Sequence, residues 1–138
     1  MSAKEWMAGF STGESNFFIT VQKSKTKSDI ATSLRFSIAQ DSRDILLLKS
    51  LAGFFNCGHI AQYKNRKVCE FIVTKINDII LYIIPFFDQY PLLGSKAKDC
   101  ADFKQVALLI EKKAHLTPEG LEEIQKIKAG MNKARGED

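Results

Sequence analysis

The stretch Trp6-Met7-Ala8-Gly9-Phe10-Ser11-Thr12-Gly13-Glu14-Ser15 decides how the rest of the chain is read. Gly9 and Gly13 stand four residues apart with Ala8 beside them, so one face of a short helix is bare enough for a second backbone to approach closely. Glu14 falls where that helix stops, which joins an interface to a single carboxylate. The interface expected on this helix comprises Trp6, Met7, Gly9, Phe10 and Gly13.

Working outward, the first helix runs from about Ala3 to Glu14, and Asn16 to Ser24 then alternates apolar and polar residues as a strand does. Phe17, Ile19 and Val21 form its inward face. Lys25 to Asp29 is a polar turn, and Leu34, Phe36 and Ile38 mark a second strand, completing a hairpin. Asp41-Ser42 offers an N-cap for a helix whose apolar positions Ile45, Leu48, Leu51, Ala52 and Phe55 recur up to an Asn56-Cys57-Gly58 stop.

A second hairpin follows, Ile60 to Lys64 and Val68 to Thr74 around an Asn65-Arg66 turn, with Cys69, Phe71 and Val73 inward. Asn77 or Asp78 caps a third helix expected to end at Pro85. Two more helices are predicted, Lys98 to Lys113 and one opened by Thr117-Pro118-Glu119 that reaches about Lys133. The order predicts an α+β domain spanning residues 1–138, with a core over about 3–91 and a helical buttress over about 92–134. Its four-stranded antiparallel sheet is covered by helices on one face, which leaves the other face for a partner. Phe54, Phe55, Phe86 and Phe87 are read as core.

At 138 residues and 45% apolar content the chain suits one globular unit with a substantial core. No apolar run approaches the roughly 20 residues that span a bilayer, and the N-terminus lacks the layout of a signal peptide, so a soluble intracellular protein is expected. Cys57, Cys69 and Cys100 have neither metal-binding nor redox spacing and are read as free thiols. The net charge of +4 is modest. Yet Lys23, Lys25, Lys27, Arg35, Lys64, Arg66 and Lys67 fall in or beside predicted strands, which points to a polyanionic partner.

The opening motif resembles the signature of the LAGLIDADG homing endonucleases, with Glu14 at the position of that family's metal-binding acid. Ser11, Thr12 and Ser15 depart from the usual aliphatic, acidic and glycine residues. Further blocks are similar to the second repeat of single-chain, fungal-type members: Ile38-Ala39-Gln40, Ile83-Ile84-Pro85-Phe86-Phe87, Leu93-Gly94-Ser95-Lys96, His115 to Leu121 and Met131-Asn132-Lys133. The resemblance implies an αββαββα core with extra C-terminal helices and sequence-specific double-strand cleavage of DNA with a divalent metal, usually magnesium. Calcium would occupy the site without supporting cleavage. It also implies roles for residues: Glu14 and the Gly13 carbonyl as metal ligands, Gln40 ordering water, and Lys96 offsetting phosphate charge. Arg43 is a further basic residue near them.

One motif per chain means that two copies must pair through the motif helix to cut both strands, so a homodimer and a near-palindromic target are expected. No membrane partner and no small-molecule substrate are expected. The start a few residues before the motif suggests an excised or engineered half-enzyme, and relatives of this type are commonly encoded in fungal mitochondrial introns. The alternative is the same fold without the reaction, a non-cleaving DNA-binding module or an RNA-splicing maturase.

Strand parity chooses the DNA-facing residues on the uncovered sheet. They are Asn16, Phe18, Thr20, Gln22 and Ser24 on the first strand and Ser33, Arg35 and Ser37 on the second. His59, Ala61 and Tyr63 follow on the third, with Glu70, Ile72 and Thr74 on the fourth. Arg35 is the best candidate to read guanine, while Lys23, Lys25, Lys27, Lys64 and Arg66 suit phosphates.

Overall fold

The sheet residues that alternation placed inward join one hydrophobic core with residues of the helices. The computed structural model describes residues 3–23, 30–63 and 65–131. The elements run α1 (Ala3–Glu14), β1 (Ser15–Lys23), β2 (Ile30–Asp41), α2 (Ile45–Phe55), β3 (His59–Gln62) and β4 (Val68–Val73). They continue as α3 (Ile76–Asp78), α4 (Ile84–Gln89), α5 (Gly94–Glu111) and α6 (Pro118–Met131). All strand pairs are antiparallel, in the order β1-β2-β4-β3. The two hairpins therefore abut through their second strands, with Phe36 opposite Val73 and Ile38 opposite Phe71.

Phe36 is fully buried at the centre. Its ring lies 5.2 Å from Phe17, 5.8 Å from Phe87, 6.3 Å from Phe55 and 6.4 Å from Phe71. Tilted and edge-on aromatic contacts of this kind fill volume and align ring quadrupoles. Phe103 of α5 adds a further edge contact to Phe17 at 5.2 Å, so the C-terminal helices enter the same core as the sheet. Phe54, expected inside, is half-exposed beside Phe55 and Phe86 at the rim.

Local signals explain most boundaries. Asp41 accepts a hydrogen bond from the Arg43 amide at 3.0 Å and opens a single 3-10 turn, Ser42–Asp44, ahead of α2. Asn56 ends α2 in the left-handed region at φ 59°, its N–H bonded to the Ala52 carbonyl. Gly58 follows at φ +83°, where a Cβ would meet the Phe71 ring at 2.6 Å and the Ile72 carbonyl oxygen at 2.7 Å. Thr117 caps α6 through a 3.1 Å bond from the Gly120 amide.

Pro85 does not end its helix. The chain stays helical from α3 through a π-helical turn, Ile79–Ile83, into α4, where Pro85 sits in the first turn. A proline N lacks a hydrogen to donate, and a first turn is where that omission costs least. The turn at 25–29, Ser24, Lys64, Asn132 and Lys133 lie outside the described residues. Among the described residues no helix is long and apolar enough to cross a membrane.

Candidate functional site

The motif helix divides its residues cleanly. Trp6, Gly9, Phe10 and Gly13 share one face, and a Cβ built on Gly9 or Gly13 meets nothing within 4 Å. Trp6 is 45% exposed and stacks on Phe10 with ring centroids 5.3 Å apart, so a flat aromatic pair flanks the bare glycines. Met7, expected in the interface, is instead 5% exposed in the core. It stands four residues before the buried Ser11 on the face turned toward the sheet.

Glu14 is the last residue of α1 and is exposed. Gln40 comes to it from the far end of β2: its Nε2 donates to Glu14 Oε2 at 3.2 Å. Lys96, in the first turn of α5, reaches the α1–β1 junction and donates to the Ser15 carbonyl and, at 3.4 Å, to Asn16 Oδ1. Three residues separated by up to 82 positions thus gather around one helix end. Arg43 is exposed and sits 3.5 Å from Asp41, a surface pair of small energetic weight.

The donor set can be tested against a divalent ion. An exposed carboxylate and the carbonyl end of α1, where Gly13 sits next to last, are hard oxygen donors of the kind Mg²⁺ takes. Among the described residues no three His, Cys, Asp or Glu side chains cluster as a metal-binding group. The exposed Glu14 carboxylate thus stands at the end of the same helix that carries the open Gly9/Gly13 face.

The uncovered sheet face carries Phe18, Gln22, Ser33, His59 and Thr74 as exposed groups, with Thr20 and Ala61 half-buried. Arg66 is exposed in the β3–β4 turn, its amide bonded to the Tyr63 carbonyl. Lys23 ends β1, while Lys25 and Lys27 fall outside the described residues. Two expected base-readers are covered: Ser37 is 1% exposed and Ile72 is buried opposite it. Asn16 is turned onto Lys96, which ties it to the α1–β1 junction.

Arg35, expected to be free for guanine, is paired: its Nη2 donates to Glu70 Oε2 at 2.9 Å, and Tyr63 donates its hydroxyl to Glu70 Oε1 at 2.6 Å. Burial pushes the Glu70 carboxyl up, but the bonds from Tyr63 and Arg35 outweigh it and hold the group below the usual carboxylate range. No sequence signal revealed this triad, because its members meet only through the β2–β4 and β3–β4 registers.

The family model for LAGLIDADG endonucleases matches residues 7–107. The chain belongs to the LAGLIDADG endonuclease family. A probable intron-encoded endonuclease 2 of Neurospora crassa is 66% identical over 126 residues, covering 91% of this chain and 26% of the relative. The LAGLIDADG homing endonuclease I-LtrWI bound to its target DNA superposes with a TM-score of 0.90 at 44% identity, over 96% of this chain and 45% of that one. I-SmaMI, bound to an uncleaved DNA target in the presence of calcium ions, gives 0.89 at 42% identity, over 94% and 44%. The chain thus spans about a quarter of that curated relative and under half of these solved LAGLIDADG chains.

Proposed function

We propose that this chain is a LAGLIDADG homing endonuclease unit that binds double-stranded DNA and, as a homodimer, makes a metal-dependent double-strand break at a palindromic or near-palindromic site. The observation that carries the proposal is the placement of an exposed Glu14, bonded to Gln40, at the end of a helix whose Gly9/Gly13 face is open. Pairing two such faces about a two-fold axis brings two Glu14 carboxylates together. A bound divalent ion, Mg²⁺ in this reading, supplies an activated water and offsets charge on the leaving oxygen.

The chain's own residues divide the remaining work. Glu14 and the Gly13 carbonyl would hold the ion. Gln40 fixes the Glu14 carboxylate and, through an amide that both donates and accepts, orders water beside it. Lys96 presents a cation at the junction that follows Glu14, where phosphate charge develops. The uncovered face of the antiparallel sheet, an element of the kind that enters the major groove, supplies base contacts through Phe18, Thr20, Gln22, Ser33 and Arg35, while Arg66 meets phosphate. The DNA-bound structures of I-LtrWI and I-SmaMI support this reading.

The test is cleavage of a randomised palindromic DNA library with Mg²⁺, alongside Ca²⁺ and a Glu14→Ala protein. Magnesium-dependent cutting of one enriched palindrome, lost in Glu14→Ala and absent in calcium, is expected. Enrichment by binding without any cutting replaces the nuclease by a DNA-binding module or a maturase-type relative. A protein that stays monomeric with DNA overturns the homodimer.

A further inference from the structure

The Arg35–Glu70 pair is longer than its register suggests. Glu70 stands opposite Ala39 on the neighbouring strand, whereas Arg35 lies four positions before Ala39 on β2. At about 3.3 Å per residue that separates their backbones by roughly 13 Å along the strand. The two side chains meet at 2.9 Å only by lying down along the sheet toward each other. Between them is the Ser37–Ile72 row, which belongs to the uncovered face and is nonetheless buried. The Arg35 and Glu70 side chains span that row to meet.

Glu70 sits on β4 between the other two participants. Arg35 approaches from β2 on one side and Tyr63 from the end of β3 on the other, so one carboxylate stitches three strands. The side chains of Arg35 and Glu70 keep 40% and 17% of their exposure, so the arginine stays partly open on the sheet face, with its Nε buried, while its anchor is sheltered. Phe18, directly opposite Arg35 on β1 and exposed, stands on the remaining side. An unanchored arginine has many rotamers and finds phosphates as readily as bases, whereas a guanidinium already held by one N–H presents the rest of its fork in one orientation.

We propose that Glu70 is a specificity-determining positioning residue, which holds Arg35 flat on the sheet so that its free donors meet a single base edge of the duplex. The proposal rests on the DNA-reading role argued above. Glu70 acts through Arg35, and Tyr63 holds the Glu70 carboxylate by donating to its other oxygen.

The experiment is equilibrium binding of the full chain to a randomised duplex library, read as base preference at each position, for wild type, Glu70→Gln, Arg35→Ala and the double variant. Glu70→Gln should lower the preference by about ten-fold at one position or two adjacent ones, the discrimination that a good bidentate contact supplies. Arg35→Ala should flatten the same position, and adding Glu70→Gln to it should change that preference by less than about two-fold, as coupled residues require. Tyr63→Phe should produce a smaller loss at that same position.

An unchanged profile in Glu70→Gln overturns the inference, as does a uniform loss at every position, which marks a purely structural role. Loss at a position that Arg35→Ala leaves intact means that Glu70 reads a base itself, and also overturns it. A wild-type protein with no base preference overturns the DNA-reading role itself, a result distinct from a wild-type preference that Glu70→Gln leaves unaltered.

Discussion

Gln40 Nε2 donates to Glu14 Oε2 at 3.2 Å, so the last residue of the motif helix is tethered to the end of a strand 26 residues later in the chain. The bond orients one carboxylate oxygen and keeps an amide beside it, where the proposed mechanism orders water. Gln40→Ala should slow DNA cleavage by roughly 10²-fold, in line with losing a positioned proton-relay or water-ordering group. Single-turnover cleavage at saturating Mg²⁺ checks it, and binding to the same DNA in Ca²⁺ should change little by comparison.

Gly9→Ala separates folding from pairing. Because a Cβ there meets nothing within 4 Å in the isolated chain, alanine should stabilise the monomer by about 0.5–1 kcal/mol through helix propensity. The same methyl stands in the path of a closely approaching second helix and should weaken dimerisation. Thermal unfolding and sedimentation measured together decide it, and a more stable protein that still dimerises normally would count against the glycine face as the seam.

Gly58→Ala should behave in the opposite way. The residue lies at φ +83° and an added Cβ would run into the Phe71 ring and the Ile72 carbonyl. A loss of about 1–3 kcal/mol is expected from backbone strain alone, read by urea denaturation.

Glu70 links stability to pH with a definite sign. Its carboxyl titrates below the usual range in the folded chain, so its contribution is present above the unfolded value near pH 4.3 and is lost as pH falls through the folded value. The stability gap between wild type and Glu70→Gln should be flat between about pH 6 and 8 and close on acidification below about pH 4. A gap that instead closes on raising the pH would contradict the Arg35 and Tyr63 bonds as its source.

The cysteines should be inert in the native state. Burial, with Asp78 nearby, pushes the Cys57 thiol up to about 11. Burial, with Asp88 nearby, pushes Cys100 up to about 12, and the buried Cys69 is raised as well. At pH 8 about one Cys57 in a thousand is thiolate, so iodoacetamide should label the native protein far more slowly than the urea-unfolded one.

Much of this molecule was legible along the chain because its signals are local. Alternation over 16–24 and at Leu34, Phe36 and Ile38 marked two strands and their inward faces, which the structure extends to 15–23 and 30–41, while Asn56 and Gly58 marked a helix stop and Thr117-Pro118 a helix start. Resemblance in separated blocks singled out Glu14, Gln40 and Lys96, which the fold brings to one end of α1. Pro85 misled because proline opposes a helix interior but suits a first turn, and only the π-helical turn before it supplied one.

Periodicity assigns each side chain to a face of its own element, and to that extent the amino-acid order by itself determined the elements, the inward set around Phe36 and the bare Gly9/Gly13 face. It cannot say which strand edges meet, since backbone hydrogen bonds between strands are indifferent to side-chain identity. Only tertiary structure set β2 against β4, and with it the reach of Arg35 to Glu70, the burial of Ser37 and the turn of Met7 into the core. Those outcomes depend on distances across the sheet between residues far apart in the chain, where packing and ion pairing compete after the elements have formed.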